Sequence, residues 1–305
     1  MPPVSPSSRL KAYLELMRPA NVVTAFADVL AGFAIAGGSI VFHNGTVSIS
    51  HPTLGWLLLS TFGLYGGGVV LNDCFDADLD AKERPERPIP SERVSRLQAS
   101  LLGASLLSIG VIAAFAATSA SGVVALAIVA MVVLYDAVAK RSGFWGPLIM
   151  GTCRGGNLLL GISISPPLLC ALGYLGLLPV AYIAAITLVS QGEVHGGNSR
   201  TGWAGVGLIT AVIASLAALR FLPSFQLLLA SPFILMLAGA VLPPFIKAAL
   251  GPDAHTIRTA VKRGVLSLIL LNSALAAGFS GLLLGILVLL LLPLSLLLAR
   301  SFSVT

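Results

Sequence analysis

The chain has 305 residues, of which 56% are hydrophobic and only 10% are charged, and its mean hydropathy is +0.96. Soluble domains carry roughly 25% charged residues, so this composition excludes a water-soluble globular protein. The apolar runs are near-continuous and do not alternate with a period of two, which favours membrane-spanning helices over a β-barrel. The net charge of +6 does not indicate nucleic acid as a partner, because the basic residues lie in loops that flank the apolar runs.

Nine apolar blocks follow one another along the chain. They cover residues 19–38, 54–75, 97–118, 121–138, 146–164, 168–190, 203–222, 226–247 and 264–299. As one helix the last block would be about 50 Å long against a hydrocarbon core of about 30 Å, so it predicts two crossings hinged near Gly278, Ser280 and Gly281. The sequence therefore predicts an all-α, polytopic bundle of nine or ten transmembrane helices, with residues 1–305 forming a single domain.

Lysine and arginine are concentrated in every second connection. These basic connections contain Lys82, Arg84, Arg87, Arg93 and Arg96, then Lys140 and Arg141, then Arg200, and finally Arg258, Lys262 and Arg263. The connections near residues 43–53, 118–121 and 165–167 contain neither residue type. By the positive-inside rule, the basic N-terminus and the basic loops are expected to be cytoplasmic.

Acidic residues cluster directly after the second apolar block, where residues 73–92 hold seven of the twelve. At about 100° per residue, one helical face within an arc of roughly 100° carries four polar side chains, and Asp78 points nearly opposite. The four are Asn72, Asp73, Asp76 and Asp80. Carboxylates this close repel one another unless a divalent cation neutralises them, and few hard ligands with room for phosphate oxygens favour Mg²⁺. The alternative is a solvated acidic loop, which is less favoured because acids at a membrane edge are costly.

Three cations, Lys82, Arg84 and Arg87, follow the acidic cluster within seven residues. Beside a metal-binding face they suit a diphosphate, whose oxygens accept charge-assisted hydrogen bonds. Taken singly, each is equally well explained as a positive-inside loop charge.

The order of these residues forms an extended motif. It reads Asn72-Asp73-x-x-Asp76-x-x-x-Asp80, then Lys82 and Arg87-Pro88-Ile89-Pro90-Ser91, and it resembles the first aspartate-rich motif of the UbiA superfamily of intramembrane prenyltransferases, with Glu92 where glycine is usual. The resemblance extends to Arg18-Pro19-x-Asn21, to Tyr135 with Lys140, and to Arg154-Gly155-Gly156-Asn157. It implies about nine helices around a cavity that opens to the cytoplasmic side and to membrane lipid.

The same resemblance implies an integral-membrane prenyltransferase. Such an enzyme moves a polyprenyl group from its diphosphate to a small or lipid acceptor, with Mg²⁺ assisting the loss of diphosphate. The catalytic residues would be Asp73, Asp76, Asp80, Lys140 and Glu193, and the metal ligands Asp73, Asp76, Asp80 and Glu193. The substrate-binding residues would be Asn21, Asn72, Arg87, Tyr135, Arg154, Asn157, Gln191, His195 and Asn198.

The second aspartate-rich motif of the family is reduced in this chain to a loop that reads Ser190-Gln191-Gly192-Glu193-Val194-His195-Gly196-Gly197-Asn198. This string resembles the EboC-like branch of the superfamily. Glu193 is the only carboxylate, so a second Mg²⁺ would also need Gln191, Asn198 and water. His195 is explained equally well as a polar loop residue. The weak second motif keeps a non-catalytic or transport protein with the UbiA fold as the alternative function.

Three further polar residues have two interpretations each. A charged residue in a membrane span must face a cavity or a partner, so Arg154 is expected to bind an anion, with diphosphate favoured over a structural ion pair. Lys140 either serves the site or extends its side chain to the membrane surface. Asp28 either faces the cavity or has a polar partner across the bundle.

Overall fold

The computed structural model describes residues 6–43, 46–193 and 196–302. The helices in chain order are α1 (Pro6–Met17), α2 (Pro19–Ile35), α3 (Leu54–Glu83), α4 (Arg96–Ala117), α5 (Ser119–Ala137), α6 (Trp145–Ile162), α7 (Pro166–Leu172), α8 (Leu177–Ser190), α9 (Ser199–Ala218), α10 (Leu227–Leu250), α11 (Ala254–Ser280), α12 (Leu282–Leu289) and α13 (Leu291–Ser301). The strands β1 (Ile40–His43) and β2 (Thr46–Ile49) pair antiparallel between α2 and α3.

Eight helical segments of the described chain are long and apolar enough to cross a membrane. They are Leu54–Glu83, Arg96–Ala117, Ser119–Ala137, Pro166–Ser190, Ser199–Phe221, Leu227–Leu250, Ala254–Ser280 and Leu282–Ser301. The shorter helices α2 and α6 bring the number of bundle helices in these ranges to ten. The prediction of an all-α, multi-pass membrane protein is confirmed.

The predicted hinge in the last apolar block lies at Gly281, between α11 and α12. Gly281 has φ 96°, a left-handed conformation that favours glycine because it has no Cβ. Beyond the hinge α12 packs back on α11, where a Cβ added at Gly285 would lie 2.6 Å from Cβ of Ala277. The block therefore forms two candidate spans, α11 and the segment Leu282–Ser301 made of α12 and α13, as its length predicts.

Helices α2 and α6 approach each other closely at Gly32 and Gly161. A Cβ added at either glycine would overlap the backbone of the opposite helix. Small residues at such crossings allow close backbone packing in membranes. The crossing brings the polar residues of α2 next to those of α6.

Helix α3 continues beyond its apolar block, so it carries the acidic motif as a helical extension as far as Glu83. The loop that follows it is tied to α1, since Arg93 donates a 2.6 Å hydrogen bond to Glu15. Within this loop Glu92 has φ 59°, a left-handed conformation that costs a non-glycine residue about 1 kcal/mol. Glycine would adopt this conformation without that cost, because it has no Cβ.

Candidate functional site

A cavity of about 360 Å³ lies among α2, α3, α5, α6, α8 and α11. We call it the inner cavity. Its apolar wall consists mainly of Leu64, Ile128, Val132, Ile183, Ile186, Val261 and Val265. Its polar mouth consists of Arg18, Asn72, Arg84, Arg87, Asp136 and Glu193. The inner cavity is therefore amphipathic, with most of its charged lining residues at one end of a largely apolar wall.

A second, polar cavity of about 630 Å³ adjoins this mouth. We call it the outer cavity. The two cavities share Arg18, Arg84, Arg87 and Glu193 in their linings. These four side chains form the boundary that a molecule crosses between the cavities.

Two arginines hold the polar face of α3. Asp73 Oδ1 accepts hydrogen bonds from Arg18 at 2.7 Å and from Arg87 at 3.4 Å. Arg87 also donates to Asp80 Oδ2 at 2.8 Å. Arg18 reaches this position from a left-handed backbone conformation at the start of α2, a strain that is typical of functional residues. The contacts use one oxygen of each carboxylate.

Helix α5 and the turn after it hold the other side of the same face. Asn72 donates to Asp136 at 2.7 Å, and one turn further Lys140 donates to Asp76 at 2.5 Å. The side chain of Asp78 is 89% exposed and lies 3.4 Å from Arg96, which agrees with its predicted place on the opposite side of the helix.

Glu193 lies where the two cavities meet. Its residue surface is 8% exposed, and its Oε1 has no hydrogen-bond partner among the described residues. Arg84 lies 4.0 Å from its other carboxylate oxygen, and Arg258 donates to its backbone carbonyl at 2.9 Å. Burial raises the pKa of Glu193, and the nearby arginines oppose that shift. Glu193 is thus a buried carboxyl with one oxygen available.

Arg154 lines the inner cavity, and its positive charge is balanced by an acidic residue of α2. Its Nε lies 2.7 Å from Asp28 on α2, and its guanidinium stacks 4.9 Å from the centre of the Tyr65 ring. Asp28 also accepts hydrogen bonds from Asn272 at 2.6 Å and Asn157 at 3.3 Å. The ion pair, one of the two sequence-based interpretations of Arg154, is present, and binding of diphosphate by Arg154 stays a prediction.

The structure brings together most of the sequence-predicted site residues. Those that line one or both cavities are Asn21, Asn72, Asp73, Arg87, Tyr135, Arg154, Asn157 and Glu193. Asp76, Asp80 and Lys140 complete the charged contacts beside the mouth.

Two residues of the second motif are placed elsewhere. Gln191 donates to the carbonyl of Gly143 at 3.3 Å, and Asn198 accepts from the backbone of Arg200 as the N-cap of α9. Within the described chain, neither is a lining residue of the two cavities. His195 lies outside the described residues.

Asp136 is the site residue that sequence reasoning missed. It is 4% exposed and lies in the polar mouth of the inner cavity. The sequence does contain an indication of its role, because an acidic residue near the end of an apolar span is costly unless it has a partner. The resemblance to the family includes Tyr135 and Lys140 but not Asp136, so the motif does not mark this residue.

The fold and the site define a polytopic membrane protein with an amphipathic cavity that has most of its charged lining residues at one mouth. Residues 29–263 match the UbiA prenyltransferase family. The chain belongs to this family, and the prediction of an integral-membrane prenyltransferase is confirmed at that level.

Archaeal relatives are similar in sequence over part of the chain. Digeranylgeranylglyceryl phosphate synthase of Methanosarcina mazei is 33% identical over 207 residues, which is 64% of this chain and 70% of the relative. The enzyme of that name from Methanococcoides burtonii is 32% identical over 155 residues, 51% of this chain and 55% of the relative. The match therefore spans between half and two thirds of this chain.

Solved structures of this family share the fold. A UbiA homologue from Aeropyrum pernix has a TM-score of 0.66 and 15% identity, over 83% of this chain and 96% of its own. A homologue from Archaeoglobus fulgidus bound to GPP and Mg²⁺ has a TM-score of 0.59 and 13% identity, over 87% of this chain and 99% of its own. The second protein binds the cofactor that the sequence motif predicts.

Proposed function

We propose that this chain transfers a prenyl group from a prenyl diphosphate to an acceptor at the junction of the two cavities. The observation that carries the proposal is the amphipathic inner cavity, whose apolar wall ends in a mouth of arginines and carboxylates. A prenyl diphosphate has the same division into an apolar chain and an anionic head. The apolar wall binds the chain, and Arg18, Arg84 and Arg87 at the mouth bind the diphosphate.

The face of α3 that carries Asp73, Asp76 and Asp80 is the candidate Mg²⁺ site. Within the described residues, no three His, Cys, Asp or Glu side chains form a ready metal cluster. Mg²⁺ commonly binds one or two carboxylates together with substrate phosphates, so a preformed cage is not required. Asp73, Asp76 and Asp80 each have one oxygen outside the cation contacts described above, and these hard donors fit the ion together with diphosphate oxygens. Binding of a second Mg²⁺ by Glu193, Gln191 and Asn198 stays a prediction.

The residues around the mouth prepare the loss of diphosphate. Mg²⁺ held by Asp73, Asp76 and Asp80 would offset the charge that develops on the diphosphate as the allylic C–O bond breaks. Arg18 and Arg87 orient Asp73, and Lys140 adds a cation beside Asp76. The apolar wall excludes water from the allylic carbon, and Tyr135 offers a ring face to a cation there.

The acceptor then attacks the allylic carbon through a hydroxyl oxygen and releases one proton. Glu193 Oε1 is the proposed proton acceptor, because it is buried between the cavities without a hydrogen-bond partner in the described chain. A raised pKa makes this carboxylate a stronger base. The new C–O bond replaces the bond to diphosphate, and diphosphate leaves through the outer cavity.

The acceptor class is inferred from the outer cavity and from the archaeal relatives. Their name specifies a glyceryl phosphate product. The outer cavity contains Arg84, Arg93 and Arg258, which suit a phosphate group. We therefore propose a lipid alcohol that carries a phosphate as the acceptor. We also propose that residues 1–305 act as one domain with the outer cavity on the cytoplasmic side, as the basic loops indicate.

The direct test is a transfer assay. Purified protein is incubated with labelled prenyl diphosphates of several lengths, with Mg²⁺ or a chelator, and with a glyceryl phosphate lipid or its phosphate-free alcohol. We expect diphosphate release that requires Mg²⁺, and label in the phosphate-bearing acceptor. Tight donor binding without release under every condition would contradict the enzyme assignment and favour the transport alternative.

A further inference from the structure

Asn72 and Asp136 form a contact that neither the motif nor the family match assigns. The Asn72 amide nitrogen donates to Asp136 Oδ1 at 2.7 Å, across the mouth of the inner cavity. Asp136 is 4% exposed, so its carboxylate is stable there only with partners such as this amide.

The contact is one of two hydrogen-bonded pairs that join α3 to the end of α5 and the turn after it. Asn72 and Asp76 are four residues apart on α3, and Asp136 and Lys140 are four residues apart on the opposite side. The first pair is Asn72 with Asp136, and the second pair is Asp76 with Lys140. The two hydrogen bonds run in opposite directions, because the side chain on α3 donates in the first pair and accepts in the second.

A carboxylate can only accept hydrogen bonds, so an ionised Asp136 binds the NH₂ end of the Asn72 amide and rejects its carbonyl end. We propose that Asp136 is a positioning residue that fixes this amide so that the Asn72 carbonyl oxygen faces the diphosphate and its ion. Without Asp136 no partner holds the amide in this orientation, so it is free to turn its donor NH₂ toward the site. That group repels a metal ion and cannot ligate it. The inference rests on the proposed function, since it concerns the same donor site.

The test measures binding, not turnover. Labelled geranyl diphosphate is titrated at a series of Mg²⁺ concentrations against wild type, Asp136→Ala, Asp136→Asn, Asn72→Ala and the double variant Asn72→Ala with Asp136→Ala, with thermal stability followed in each. We expect Asp136→Ala to raise the half-saturating Mg²⁺ concentration roughly tenfold, the factor for one lost charge-assisted contact. Asp136→Asn should be intermediate, because its amide still accepts in one of two orientations. Asn72→Ala and the double variant should match Asp136→Ala, since Asp136 acts only through Asn72.

A reciprocal exchange separates positioning from a purely structural contact. Asn72→Asp alone places two carboxylates together and should bind poorly. Asn72→Asp combined with Asp136→Asn restores one donor and one acceptor and keeps an oxygen toward the ion, so it should recover to within about threefold of wild type. An exchanged variant no better than Asp136→Asn, or additive losses in the double alanine variant, would overturn the inference. If Asp136→Ala fails to fold, Asp136→Asn and the exchanged variant still decide whether Asp136 positions Asn72.

The failure of this inference is distinguishable from failure of the proposed function. Wild type that binds geranyl diphosphate with Mg²⁺, together with variants that bind equally well, would remove the role of Asp136 only. Wild type without Mg²⁺-dependent binding would remove both.

Discussion

Individual side chains at the mouth are arranged in pairs of opposite charge. Asp73, Asp76 and Asp80 each contact an arginine or a lysine. Pairing of this kind lowers the cost of holding carboxylates at a membrane edge. A diphosphate with its ion offers a second set of partners to the same side chains, so binding requires an exchange of contacts and little new burial of charge.

The helical face of α3 gives a sharp contrast between two neighbouring aspartates. We expect Asp76→Ala to lower Mg²⁺-dependent diphosphate release by about 100-fold or more, because it removes a carboxylate from the proposed metal-binding face. Asp78→Ala should change it by less than about fivefold, since an exposed pair of this kind contributes at most about 1 kcal/mol. The measurement is initial rate at saturating donor, with thermal stability checked in both variants. Equal losses in the two would contradict the assignment of the site to one face.

The sequence predicted the site residues that belong to a recognisable motif and missed those defined by tertiary contact. Asn72, Asp73, Asp76 and Asp80 share a face because helical periodicity places them there. Asp136 entered the site only through a contact with α3, which no local pattern specifies. The partner of Arg154 was likewise open, because Asp28 lies 126 positions away in the chain and meets it only where α2 crosses α6.

At the scale of helices, hydropathy located the membrane crossings to within a few residues but underestimated two helices. Helix α3 runs to Glu83 and α11 begins at Ala254, whereas their apolar blocks were predicted as 54–75 and 264–299. The cause is physical: a helix satisfies its own backbone and continues into water, where its residues are no longer apolar. The hairpin of β1 and β2 was not predicted, since it lies in a short connection with little periodicity.

The helical connections also give a test of orientation. Glu86 and His255 are exposed near the outer cavity, and His51 is exposed at the opposite ends of α2 and α3. In a background with the exposed Cys170 replaced by serine, we expect Glu86→Cys and His255→Cys to react with an impermeant thiol reagent only from the cytoplasmic side. His51→Cys, the matched control, should react only from outside. The reverse pattern would refute the proposed orientation.

The whole molecule combines a lipid-compatible exterior with two joined cavities of different polarity. The inner cavity is mostly apolar, the outer cavity is lined by charged groups, and four shared side chains separate them. In the proposed reaction this arrangement would let two substrates meet at one point, with the apolar chain in the inner cavity and the polar head group in the outer cavity. The reactive carbon is then expected at the shared boundary, beside Glu193.

Photo-crosslinking with a prenyl diphosphate that carries a reactive group on its chain tests this central claim most directly. Two residues of α5 serve as a matched pair, since Ile128 lines the inner cavity and is 6% exposed whereas Leu126 is 50% exposed on the outer surface. We predict Mg²⁺-dependent label at Ile128 and at facing residues such as Ile186 and Val265, removed by excess geranyl diphosphate. Label at Leu126 that is insensitive to Mg²⁺ and to competitor, with none at Ile128, would contradict donor binding in the inner cavity.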